Sequence, residues 1–256
     1  MTNERRVLVH PDPASLAASV AARFLTKVID LLDERETVNV CLTGGTTGIA
    51  VLAAIATNPA RDGIDWSRVA FWWGDERYLP RGDPDRNETQ ARSALLNHIS
   101  VPAENVHPFP AVGDQATLEA AADAYAEELG DVTFEITFLG VGPDGHVASL
   151  FPNHPTVLET LRTVVAEPNS PKPPPARLSL TLPVINASER VWLVLAGSDK
   201  AGALGLALAD ASVASVPVAG VHGRKRTVFF VDRAAAAEVP DGLIDGGRYW
   251  TARDES

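Results

Sequence analysis

Short apolar runs alternate with segments of helical period along almost the whole chain. The runs fall at residues 6–10, 38–43, 69–73, 134–139, 178–182, 191–196 and 227–231, each of strand length. Between them, residues 15–32 place Leu16, Val20, Phe24, Val28 and Leu31 on one helical face. Residues 46–56, 88–96, 117–129 and 201–209 also read as helices, and a last short one begins at 233–237. Strands separated by helices pair in parallel, because each crossover returns the chain to the same edge. The pattern therefore predicts an α/β fold, a doubly wound, mainly parallel sheet with helices on both faces in a Rossmann-like three-layer sandwich. The chain has 256 residues and no internal repeat, which favours one domain spanning residues 1–256.

In open sheets of this kind, ligands bind outside the carboxyl ends of the strands. Polar segments follow the expected strands at that end. The most informative is Gly140-Val141-Gly142-Pro143-Asp144-Gly145-His146, continuing Val147-Ala148-Ser149-Leu150-Phe151-Pro152. A histidine there can exchange a proton near neutral pH, and an aspartate two residues away can orient its ring. A tight turn with a solvated Asp and an incidental His is the plain alternative. A second segment, Leu42-Thr43-Gly44-Gly45-Thr46-Thr47-Gly48, turns a strand into a helix. Its glycines allow close backbone approach, and a helix amino terminus offers free N–H groups to an anion. It lacks the Lys of a Walker loop and the spacing of a dinucleotide fingerprint. The plain alternative is a capped turn with Thr46 as N-cap.

The third segment is Trp72-Trp73-Gly74-Asp75-Glu76-Arg77-Tyr78-Leu79-Pro80. Arg77 can grip a phosphate or carboxylate, with Asp75 or Glu76 holding Arg77 or meeting sugar hydroxyls. The fourth is Gly197-Ser198-Asp199-Lys200, where Lys200 opens a helix against the sense of its dipole. An anionic ligand between the two would relieve that. Arg177, between the proline-rich residues 168–175 and the run at 178–182, is a further candidate. The proline-rich stretch reads as a stiff surface loop near the site.

Net charge bounds the partners. At −11 the chain is a poor match for nucleic acid, which demands clustered cations. An anionic substrate would need a local cationic cluster to overcome the global field. The single cysteine, Cys41, reads as a small buried side chain. Without a second Cys there is no disulfide or Cys-based metal site, and no cofactor or metal is expected. His10, His98, His107, His154 and His222 lack metal-ligand spacing, and only His154 lies close to the His146 loop. Arg224-Lys225-Arg226 reads as a solvated turn, and Trp66, Trp72 and Trp73 as packing residues. No run approaches a membrane span, and the polar start Met1-Thr2-Asn3-Glu4-Arg5-Arg6 does not resemble a signal peptide. The expected address is the cytoplasm.

Together these loops suit a phosphorylated small molecule on which a proton is moved. At these residues the chain resembles the 6-phosphogluconolactonases of the glucosamine/galactosamine-6-phosphate isomerase-like superfamily. The resemblance covers residues 42–47, 73–80 with Asn87, 140–152, 177–186 and 197–200. It implies hydrolysis of 6-phosphogluconolactone to 6-phosphogluconate in the oxidative pentose phosphate pathway, without a metal. Carried over, His146 is the general base with Asp144 beside it. Arg77 and Lys200 contact the phosphate, Gly44, Gly45 and Thr46 form the substrate loop, and Asp75 and Arg177 join the binding set. The implied partner is a phosphorylated sugar lactone, and the protein is expected to work as a monomer or weak homo-oligomer. Two residues depart from the family's pattern: Gly48 stands where many relatives have Pro, and Arg86 where a Ser often precedes the Asn. Two rivals remain. A glucosamine-6-phosphate deaminase shares the Asp-Gly-His loop but carries an Asn-Glu-Pro segment after it, where this chain has Ser149-Leu150-Phe151-Pro152. A non-catalytic sugar-phosphate sensor would normally carry a DNA-reading module, for which this chain has no spare segment.

Overall fold

The expected strands assemble in a computed structural model that describes residues 4–244. Met1, Thr2 and Asn3, part of the polar start, lie outside the described residues. Six strands lie side by side in the order β1 (Glu4–His10), β9 (Arg226–Asp232), β8 (Arg190–Leu195), β5 (Ile136–Gly140), β2 (Val38–Leu42) and β3 (Val69–Trp73). Every pairing is parallel. Consecutive residues of β2 (Val40, Cys41 and Leu42) are all buried, as expected for strands covered on both faces. Burial also pushes the Cys41 thiol well up, so it serves as a small core side chain.

Helix α1 (Pro13–Glu34) is capped by Asp12, whose carboxylate accepts from the Ser15 N–H at 2.7 Å. It buries Leu16, Val20, Phe24, Val28 and Leu31, the face read from the sequence. It packs on α2 (Gly45–Thr57), and α2 on α3 (Asn87–Ala94). The pleat of β1 shows that the opposite face is covered too. Arg5 reaches the Ala207 carbonyl and Asp210 at the end of α6 (Ala201–Leu208), while its neighbour Arg6 lines a groove with Ser19 and Arg23 of α1. The remaining helices are α4 (Leu118–Leu129), α5 (Leu182–Asn186), α7 (Arg233–Ala236) and α8 (Asp241–Ile244). Helix α3 ends at Ala94, and residues 96–98 form a separate 3-10 turn, so the helix expected over 88–96 is shorter. Among the described residues no helix is long and apolar enough to cross a membrane.

One expectation needs correction. The run at 178–182 does not join the parallel sheet. Its strand, β7 (Arg177–Leu180), is the centre of a small antiparallel sheet between β4 (Asp75–Arg77) and β6 (Val164–Glu167). β4 is three charged residues and β6 only four residues long, so neither shows the strand-length apolar run that marks the other strands. This small sheet sits where it matters. From β2 the chain moves outward to β3, and from β5 it moves the other way to β8 and β9. The reversal opens a crevice at the carboxyl ends of β2 and β5.

Candidate active site

Two loops meet in that crevice. After β2, Gly44 takes the N-cap position of α2 in place of Thr46, and no side chain caps the helix. The first N–H groups of α2 therefore point at the crevice without a side-chain acceptor. Gly45, with φ of +80°, makes the turn. After β5, the chain runs through residues 140–146, and the Gly140 N–H donates to Thr43 Oγ1 at 3.1 Å, tying the loops together. His146 Nδ1 lies 2.5 Å from Asp144 Oδ1. An ionised carboxylate only accepts, so Nδ1 carries the proton and Nε2 is the free basic nitrogen. Burial pulls the Asp144 carboxyl upward, but the His146 hydrogen bond and charge, with Lys172 beyond, bring it down to about 2. Gly142 makes room for this pair: a Cβ there would fall 2.0 Å from His146 Nδ1. Phe151 backs the imidazole at 4.6 Å between ring centres.

The small sheet forms the facing wall. Alternation along β4 turns Asp75 and Arg77 to one face and Glu76 to the other. The expectation that Asp75 or Glu76 holds the Arg77 side chain is therefore not met. Glu76 instead accepts from the backbone N–H groups of Arg77, Asn87 and Glu88, at 2.7 to 2.9 Å. Burial pushes its carboxyl up to about 7 against the pull of Arg86 and those donors. Asp75 accepts from Ser149 Oγ at 2.7 Å and from Asn87 Nδ2 at 3.2 Å. Arg77 donates from Nη1 to the Asp85 carbonyl at 2.6 Å, and its buried Nε has no partner.

Arg77 stands directly opposite Arg177 in the β4–β7 register. Opposed residues of an antiparallel pair share a face, and like charges there repel. Arg177 feels this: burial first, and Arg77 after it, lower its pKa against the pull of Asp75. Among the described residues neither arginine pairs with a carboxylate. Arg177 donates to the carbonyls of Lys172, Pro173 and Pro174. Its neighbour on the other strand, Glu167, turns instead to His154, at 2.9 Å, and to the Asn169 N–H. Lys200 completes the set just before α6, with Asp199 2.9 Å from its ammonium.

A cavity of about 290 Å³ is lined by Gly44, Gly45, Thr46, Asp75, Arg77, His146, Arg177 and Lys200, together with Lys172 and Asn87. It adjoins one of about 470 Å³ that shares Gly44, Thr46 and Lys200. A larger groove of about 520 Å³ lies between α1 and the sheet and has no histidine. The smaller cavity is the one that combines a base, an orienting carboxylate and cations. Of the residues that the resemblance assigns to the site, all line it except Asp144, which touches it through His146; Glu76 and His154 do not line it. Sequence reading missed Lys172, although a lysine inside a proline-rich loop next to Arg177 is itself a signal.

Comparison with known proteins places the chain in a family. Residues 11–230 match the model of the family described as glucosamine-6-phosphate isomerases/6-phosphogluconolactonase. The chain belongs to this family. It is 48% identical over 255 residues to a 6-phosphogluconolactonase of Streptomyces coelicolor, covering 95% of this chain and 98% of the relative. It is 44% identical over 242 residues to a 6-phosphogluconolactonase of Mycobacterium tuberculosis, covering 91% and 97%. The solved 6-phosphogluconolactonase of Trypanosoma brucei superposes with a TM-score of 0.81 at 26% identity, over 93% of this chain and all (100%) of that one. A monomeric glucosamine-6-phosphate deaminase shares the fold, with a TM-score of 0.76 at 20% identity over 91% of this chain and 99% of that one.

The two departures from the family's pattern now have places. A Cβ on Gly48 would come within 2.8 Å of the Thr43 methyl, so glycine lets Thr43 pack against the start of α2. Arg86 is fully buried; it donates to the Phe109 carbonyl at 2.7 Å and lies 3.3 Å from Glu88 and 3.7 Å from Glu76. It anchors the segment after β4 from below. Asn87, held by the Asp75 backbone and side chain, lies over Gly44, where a Cβ would fall 1.9 Å from its Oδ1.

Proposed function

We propose that this chain hydrolyses 6-phospho-D-glucono-1,5-lactone to 6-phospho-D-gluconate, the lactone-opening step of the oxidative pentose phosphate pathway. One observation carries the reading. A histidine fixed by a carboxylate shares a cleft with two arginines that face each other and, among the described residues, have no carboxylate partner. Such a pair of arginines is unfavourable in an empty site and favourable around an anion.

In this reading Arg77, Lys200 and the N–H groups at the start of α2 hold the phosphate. Arg177 adds a second guanidinium to that wall, and Asp75 positions Asn87 and Ser149 beneath the sugar. His146 Nε2 takes a proton from water as the oxygen attacks the lactone carbonyl. Asp144 keeps the tautomer and stabilises the imidazolium that forms. The ring oxygen then leaves and takes the proton back from Nε2. Amino-sugar deamination fits less well, because the stretch after His146 supplies a serine bonded to Asp75 and a phenylalanine against the imidazole, not a carboxylate.

The test is a lactonase assay on freshly made 6-phosphogluconolactone, read against spontaneous opening without protein. Clear acceleration is expected, with no ammonia released from glucosamine-6-phosphate. Opening no faster than the blank sinks the proposal.

A further inference from the structure

The hydrolysis proposed above creates two charges at once, an imidazolium on His146 and an oxyanion on the lactone carbonyl. Asp144 answers the first. The second needs a positive group beside the base that is not already engaged by the phosphate.

Lys172 is the cation that the structure sets against the His146–Asp144 pair within the cavity. Its Nζ lies 3.4 Å from His146 Nδ1 and 3.9 Å from Asp144 Oδ1. It lines the same cavity as Arg77 and Lys200 but arrives from a different direction, on the loop between β6 and β7. That loop is built to hold still. Ser170 Oγ bonds both the N–H and the carbonyl of Lys172, and the Ser170 N–H donates to the Pro175 carbonyl at 2.9 Å. Arg177 closes it by donating to the carbonyls of Lys172, Pro173 and Pro174. Prolines remove backbone freedom from the same stretch. A cation held in advance where negative charge develops is worth most, since little reorganisation accompanies the reaction.

We infer that Lys172 is a catalytic residue that stabilises the lactone oxyanion, and that Arg177 positions it by clamping its loop. This rests on the lactonase reading. As the water oxygen bonds to the carbonyl carbon, its proton passes to His146 Nε2 and the carbonyl electron pair moves to oxygen, beside the Lys172 ammonium. Collapse restores the carbonyl, breaks the bond to the ring oxygen and returns the proton from Nε2 to that oxygen. One water is consumed and no other reactant is needed. Burial, with Lys200 and Arg177 nearby, lowers the Lys172 pKa while Asp144 draws it back, so the ammonium stands partly desolvated beside the His146–Asp144 pair.

The experiment compares wild type, Lys172→Met and Lys172→Arg in steady-state hydrolysis of 6-phosphogluconolactone, corrected for spontaneous opening. Melting curves check that the variants fold. Loss of one oxyanion donor typically costs about 10²–10³ in kcat. Lys172→Met should lose that much in kcat with a smaller change in KM, and Lys172→Arg should recover at least about tenfold, because it keeps the charge. A Lys172→Met variant within about threefold of wild-type kcat overturns the inference. So does a rise in KM that exceeds the loss in kcat, since that marks a phosphate anchor. If wild type itself does not exceed the blank, the lactonase reading fails, and this is seen before any variant is measured.

Discussion

The two ends of the parallel sheet use charge in opposite ways. At the amino ends of the strands, Glu189 accepts from Arg35 at 2.6 Å, from Lys225 at 2.8 Å and from Arg190 at 2.8 Å. Glu135 adds a second carboxylate to Arg35 and also accepts from the Asn39 N–H. Arg35, Lys225 and Arg190 thus find their counter-charge within the fold. At the carboxyl ends, Arg77 and Arg177 make do with backbone carbonyls, while Lys172 and Lys200 have one carboxylate each nearby. The first arrangement holds the molecule together. The second leaves positive potential for something that arrives, which is how a chain of net charge −11 can attract an anionic substrate.

The sharpest way to break this contrast is at the base. His146→Ala should lower kcat by about 10²–10⁴, the usual worth of general-base assistance, with KM changed little. The melting temperature should stay near that of wild type, because His146 is held by one carboxylate and one aromatic ring at the edge of the cleft. A near-normal kcat would remove the chemistry from the carboxyl end altogether. Next in size comes the anchor. Arg77→Ala should raise KM about 10–100-fold, in keeping with about 1.5–3 kcal/mol for a charge-assisted bond, and should leave kcat nearly intact. A kcat loss in place of the KM rise would move Arg77 from binding to chemistry.

Why one end was easier to read than the other follows from the same contrast. The main sheet and the face of α1 announce themselves through apolar period, since Val, Leu and Phe must be buried whatever else happens. The Gly44 and His146 loops were legible because each follows such a strand. The small sheet was not, because Asp75, Glu76 and Arg77 carry no apolar signal and pair with residues about a hundred positions away. Hence the side-chain directions along β4 were unreadable, and Glu76 could not be told from Asp75. Lys172 was missed for a related reason: the proline-rich loop hints at it, but its place beside His146 depends on Arg177 holding that loop back, a contact between residues 26 apart. The pairing of Glu189 with Arg35 joins residues still farther apart in the chain.

The amino end is tested by stability, not rate. Glu189→Gln leaves Arg35, Lys225 and Arg190 facing a neutral amide. Glu189 is buried, but its cationic partners are partly exposed, which puts the cost at about 1–3 kcal/mol, below that of breaking a fully buried pair. For a chain of this length that lowers the melting temperature by about 2–12 °C. Activity at a temperature well below the transition should be unchanged. Lost activity in a folded Glu189→Gln protein would mean that the two ends are coupled and that the contrast is false.

The smallest effect expected is in the pH dependence of that same stability, and it compares the two ends directly. Burial pulls the Glu189 carboxyl upward, but the hydrogen bonds and charges of Arg35 and Lys225 outweigh it and hold it at about 2, against an ordinary 4.5. A carboxylate depressed on folding contributes stability that is complete above its unfolded pKa and is lost as pH falls through its folded pKa. Glu189 should therefore give the wild type a falling limb between about pH 4.5 and 2. Melting temperatures of wild type and Glu189→Gln should converge across that window. Asp144 is also held at about 2, from an ordinary 3.8, but about a third (35%) of its side chain is exposed and water screens its pairing. Asp144→Asn should therefore flatten the acid limb less than Glu189→Gln does. Glu76 does not interfere, because its pKa is raised to about 7: its contribution is complete below 4.5 and is lost as pH rises through 7. If Asp144→Asn flattened the acid limb more than Glu189→Gln, the charges of the cleft would be holding the fold together, and the division between the two ends would fail.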